Sequence, residues 1–104
     1  MTDQEINQAI AEACGWVAMP DGPDYLPPGS LKTQMVPSYP TDLNAMHEAE
    51  KHTYKTQPPG WMARYEDHLS EVCSRAQYPH WMPIFATARQ RAEAFLRTRG
   101  KWKE

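Results

Sequence analysis

The sequence predicts a small α+β protein, a single domain over residues 1–104 with about four helices and a small sheet. Three observations predict it. A chain of 104 residues is the size of one domain. Four segments carry helical signals in spacing, composition and caps, and two short stretches with strand character lie among proline- and glycine-rich runs.

Thr2 and Glu5 stand at capping-box spacing, and Ile6, Ala9, Ile10 and Ala13 recur at helical intervals until Gly15. A first helix with one buried face is expected there. Trp16 to Met19 is a short strand candidate, whereas the run from Pro20 to Ser30 (PDGPDYLPPGS) is too rich in proline and glycine for regular structure and reads as a long surface loop. From Leu31 to Val36, Leu31, Thr33 and Met35 alternate with Lys32, Gln34 and Val36, which predicts a second strand able to pair with the first as a wide hairpin. Asp42 supplies an N-cap for a second helix from Leu43 to about Tyr54, rich in Ala45, Met46, Glu48, Ala49, Glu50 and Lys51. Its expected apolar face is Leu43, Met46, Glu50 and Tyr54, with His47 at the border. Pro58-Pro59-Gly60 breaks the chain, and Trp61, Met62, Tyr65, Leu69, Val72, Cys73 and Ala76 then form the clearest helical stripe. Tyr78 to Phe85 holds Pro79 and Pro83 among aromatics and reads as a connector or edge strand. Thr87 caps a last helix whose Ala88, Ala92, Phe95 and Leu96 face inward and which Gly100 ends.

Composition narrows the function classes. No window approaches the roughly 18 apolar residues of a membrane span, and the first residues are acidic where a signal peptide would be basic, so a cytoplasmic location and no membrane partner are expected. Cys14 and Cys73 are expected as reduced, buried thiols. The net charge of −2 hides an asymmetry: residues 1–50 carry eight acids and one base, and residues 51–104 ten bases and five acids. The last sixteen residues hold six bases (Arg89, Arg91, Arg97, Arg99, Lys101, Lys103) against Glu93 and Glu104. That positive end attracts phosphate or an acidic partner, or pairs with the protein's own acidic half. The negative net charge argues against stable nucleic-acid binding.

Three stretches, ACGW at 13–16, DLNAMHEAE at 42–50 and ATARQRAEAFLRT at 86–98, together resemble the small phage-encoded proteins grouped as the phage ABA sandwich domain. The resemblance implies a three-layer α/β/α arrangement and a bacteriophage origin, hence a location in the infected bacterial cell. It brings no established reaction and no catalytic set.

The residues that could carry chemistry each have a plainer reading. His47-Glu48 opens HEAEKH, but His52 follows His47 by five residues, about 140° around a helix, so the two imidazoles cannot share a metal from one helix. No metal or other cofactor is expected. His47 and Glu50, with Asn44 and Glu48 nearer the rim, either line a pocket able to bond a base or sugar edge or form an internal hydrogen-bond network. Arg89, Glu93 and Arg97 at four-residue spacing are an intrahelical ion-pair ladder, or else Arg89, Arg91 and Arg97 are forks for phosphate. Trp16, Tyr39 and Trp81 are core or core-edge side chains, or platforms for a nucleobase. No glycine-rich phosphate loop, nucleophile elbow or paired-cysteine metal motif is present, so catalysis is not expected. The leading expectation is a counter-defence binding protein that sequesters a nucleotide-type immune signal, as a homo-oligomer with its pocket near a subunit boundary. The alternatives are a protein inhibitor of a host defence factor that docks through Asp21, Asp24 and neighbouring acids, and a virion assembly accessory.

Overall fold

The computed structural model describes residues 1–20, 24–75 and 86–103. In chain order its elements are α1 (Asp3–Ala13), β1 (Val17–Ala18), β2 (Tyr25–Leu26), α2 (Leu43–Thr56), α3 (Trp61–Arg75) and α4 (Ala88–Thr98). Four helices and a two-stranded antiparallel sheet make the protein α+β, as expected.

The helices begin where their caps dictate. At α1, Thr2 Oγ1 accepts from the Glu5 N–H while Glu5 accepts from the Thr2 N–H, and Thr87 with Gln90 repeats this reciprocal arrangement at α4. Asp42 accepts from the N–H groups of Asn44 and Ala45 to start α2. Each such cap satisfies donors that a helix start leaves open, and is worth about 1 kcal/mol. Two helices also end alike. After α1 the Trp16 N–H reaches back to the Ala11 carbonyl at 2.9 Å, with Gly15 at φ 89°; after α4 the Lys101 N–H reaches the Leu96 carbonyl at 2.8 Å, with Gly100 at φ 72°. Both glycines occupy the left-handed position that this C-terminal motif requires and that a Cβ disfavours.

α4 is the helix on which the others rest: α3 packs most extensively against it, and α1 and α2 also touch it. The sequence permits this, because Ala88, Ala92, Ala94, Phe95 and Leu96 bury more than one side of the helix. Against α4 stands an aromatic group from α3. Trp61 and Tyr65 stack at 5.0 Å between centroids, and Phe95 meets both edge-on at 5.7 and 6.4 Å. Such pairs contribute about 0.5–1.5 kcal/mol each beyond their buried area. Ile6 and Ile10 of α1, Met46 of α2 and Leu69 and Cys73 of α3 complete the core.

Four expectations are corrected. β2 lies at Tyr25–Leu26, inside the proline-rich run, and pairs with β1 through Val17 opposite Leu26 and Ala18 opposite Tyr25. The prolines at 27 and 28 follow this strand rather than interrupt it, and Tyr25, only 8% exposed, supplies the buried side chain that holds it. The stretch from Leu31 to Val36 contributes a single bridge, Gln34 to Tyr25. Among the described residues nothing covers Leu31 or Met35, which are 102% and 81% exposed, so the alternation there does not face their core.

On α2 the buried face is Ala45, Met46, Ala49 and Thr53, while Leu43 and Tyr54 are 41% and 71% exposed. At about 100° per residue, the packed face is turned by roughly 90° from the one centred on Leu43, Glu50 and Tyr54. Ala45, Ala49 and Thr53 let α2 approach its neighbour around the buried Met46, and Leu43 and Tyr54 stay outside. The expected arginine ladder on α4 is also only half formed: Arg97 pairs with Glu93, but Arg89 pairs with Asp3 of α1. The expected connector from Tyr78 to Phe85, Trp81 included, lies outside the described residues, as do Asp21 and Ala76.

Candidate functional site

Three places in the structure group side chains that could carry function, and two of them include residues singled out from the sequence. The first is a junction of three helices. The guanidinium of Arg91 on α4 donates to Glu50 Oε2 of α2 at 3.0 Å, the Tyr65 hydroxyl of α3 donates to the same oxygen at 2.5 Å, and Arg91 Nε donates to the Ala86 carbonyl at 3.3 Å. The Glu50 and Arg91 side chains are 14% and 15% exposed, so the pair is mostly withdrawn from water. Burial, and then the neighbouring Glu50 carboxylate, push the Tyr65 hydroxyl far above the ordinary phenol range and keep it a donor. Glu50 and Arg91 are therefore committed to each other. The internal-network reading of Glu50 is the one the geometry carries, and its partner is the tyrosine of α3 together with an arginine of the last helix.

His47 and Asn44 do not join this junction; both are exposed on the outer surface of α2. Arg89 is exposed and paired with Asp3. Arg97 donates to Glu93 at 2.8 Å, and its guanidinium carbon lies 5.5 Å from the centroid of Trp102, a cation–π distance.

The second place is a cavity of about 360 Å³ between the start of α2 and the chain around β1 and β2. It brings together Trp16, Tyr39 and Glu48 from the sequence reading and adds Cys14, His52 and the rings of Pro27, Pro28 and Pro37. Trp16 arrives there because the turn at Gly15 sends the chain back past the end of α1. Tyr39 is fixed by its N–H, which donates to Asn7 Oδ1 of α1 at 2.9 Å. Burial pushes the Cys14 thiol up to about 11 and the Tyr39 hydroxyl above the usual phenol range, so both carry their protons at neutral pH.

The third place is larger, about 680 Å³, between α1 and the segment that follows α4. The Gly100 turn carries Lys101, Trp102 and Lys103 against α1, the Arg99 guanidinium donates to the Ala13 carbonyl at 3.5 Å, and the terminal amine of Met1 donates to the Lys103 carbonyl at 3.4 Å. Four cationic groups (Met1, Arg99, Lys101, Lys103) face two carboxylates, Glu5 and Glu12, with Gln8 and Trp102 among them. The backbone N–H of Thr2 holds the Glu5 carboxyl below the usual carboxylate range, so it is anionic at neutral pH. None of the nine residues chosen from the sequence lines this cavity; the count of six bases in the last sixteen residues is the signal that points to it.

Among the described residues no three His, Cys, Asp or Glu side chains group closely enough to hold a metal ion, and no helix is long and apolar enough to cross a membrane. Both cysteines are buried and free. Comparison with protein-family models, with curated proteins and with solved structures finds no match to this chain.

Proposed function

We propose that this is a phage-encoded counter-defence protein of the ABA sandwich kind that binds a nucleotide-type immune signal and removes it from circulation without chemical change. The observation that carries the reading is the cavity between α1 and the C-terminal segment. Its volume lies within the range of small-ligand sites, and its cations outnumber its carboxylates by four to two. Arg99 offers a planar fork for phosphate oxygens, Lys101 and Lys103 offer mobile charges, Gln8 offers both a donor and an acceptor for a base edge, and Trp102 offers an aromatic ring. This moves the phosphate contacts away from Arg89, Arg91 and Arg97, each of which has an intramolecular carboxylate partner. The three-layer arrangement belongs to the same proposal, with β1, β2 and the Gln34 bridge as the beginning of its middle layer, and so does a homo-oligomer that closes the open side of the cavity.

The test is native mass spectrometry of protein purified from cells whose signalling defence has been triggered, followed by heat release. A nucleotide bound stoichiometrically and released intact supports the reading; protein that leaves the cells empty overturns it. A second reading, inhibition of a host protein, is favoured by a separate observation: Val17, Leu31 and Met35 are 59%, 102% and 81% exposed on the β1–β2 side of the molecule. Capture of a host polypeptide that Met35→Glu abolishes would establish it.

A further inference from the structure

The cavity around Trp16 and Tyr39 has a chemistry unlike that of the C-terminal one. Among the described residues its lining holds two aromatic side chains, three proline rings, one imidazole, His52, and one carboxylate, Glu48, and neither lysine nor arginine. The carboxylate is lightly engaged: Glu48 lies 3.9 Å from Lys51, and both side chains are largely exposed. The rings are positioned but not saturated. Tyr39 is 3% exposed and its backbone is bonded to Asn7, yet among the described residues neither its hydroxyl nor the Trp16 indole N–H has a hydrogen-bond partner.

We propose that this cavity is a binding site for an organic cation of the alkylammonium class, with the cation against the faces of Trp16 and Tyr39 and its charge balanced by Glu48. Aromatic faces attract such cations through their quadrupole, more strongly as water is excluded, and the proline rings supply apolar walls for the alkyl groups. Among the described residues no lysine or arginine lines the cavity to balance the charge of an anion or a phosphate. The inference does not depend on the nucleotide reading, since the two cavities share no lining residue.

The experiment is a titration of the full chain, followed by the indole N–H resonance of Trp16, assigned by its loss in Trp16→Phe. Three probes are used: choline, its neutral isostere 3,3-dimethylbutan-1-ol, and N-acetyl-lysine methylamide. Choline or the lysine derivative is expected to shift the resonance saturably, with the neutral isostere at least about tenfold weaker. Glu48→Gln, at an exposed helix position, should weaken the cation about tenfold with the spectrum otherwise unchanged. A stronger response to choline assigns the site to free cations, and a stronger response to the lysine derivative assigns it to a side chain of a partner polypeptide. Equal binding of the neutral isostere, an unaltered affinity in Glu48→Gln, or no saturable shift with either cation would overturn the proposal.

Discussion

Glu50 joins three helices through one carboxylate oxygen, which accepts from Arg91 of α4 and Tyr65 of α3. Removing one member of a mostly buried pair strands the other, and removing both still strands the Tyr65 hydroxyl. Arg91→Met should therefore lower the unfolding free energy by about 3 kcal/mol, and adding Glu50→Leu with Tyr65→Phe should recover most of that loss; denaturant melts of Arg91→Met, Glu50→Leu and the triple variant measure it. Cys14 adds a pH dependence. Its folded thiol is raised to about 11, so the fold favours the protonated form. That contribution is complete below the unfolded thiol's value of about 8.5 and is lost as pH rises toward the folded value. Stability should fall between pH 9 and 11 in the wild type and less steeply in Cys14→Ala, and at pH 8 iodoacetamide should alkylate Cys14 about a hundredfold more slowly than a free thiol. Much at this scale was legible: Thr2, Asp42 and Thr87 cap the helices because a hydroxyl or carboxylate beside open N–H groups needs no tertiary information. The pairing of Glu50 with Arg91 was not, because the two are 41 positions apart and only the packing of α2 on α4 brings them together.

At the scale of elements, the helices and the first strand could be read, β1 lying inside the expected Trp16–Met19, and the second strand could not. α3 and α4 carry their apolar residues at helical spacing over ten or more positions, a pattern that other structures do not satisfy. β1 and β2 are two residues each, too short for any period, and their place is decided by the burial of Tyr25. α2 lies between these cases. Leu43 and Tyr54 attract the eye, but alanines and Thr53 define the face that packs. Met46→Ala should cost about 3 kcal/mol, while Leu43→Lys and Tyr54→Lys should each stay within about 0.5 kcal/mol, as thermal melts will show. Were the buried face instead Leu43, Met46, Glu50 and Tyr54, Leu43→Lys and Tyr54→Lys would each cost about 3 kcal/mol. Gly100→Ala forces a Cβ into the left-handed region and should cost about 1 kcal/mol; because the same turn delivers Lys101 and Trp102, it should weaken ligand binding as well.

The described residues form a framework of four helices, and two cavities of different lining lie where a glycine turns the chain back after a helix. The separation of charge along the sequence is only partly kept in space, because Arg89 and Arg91 reach Asp3 and Glu50 of the acidic half. The basic segment beyond α4 forms a cationic surface that the total net charge of −2 conceals. The most direct test is equilibrium dialysis of the purified protein against a panel of linear and cyclic nucleotides at low and moderate salt, with the variant Arg99→Gln/Lys101→Gln/Lys103→Gln beside the wild type. The account predicts that the wild type depletes at least one nucleotide from the free pool, that affinity falls as salt rises, and that the triple variant loses about a hundredfold while melting at nearly the same temperature. Every nucleotide remaining at its starting free concentration, or equal depletion by the triple variant, would contradict it.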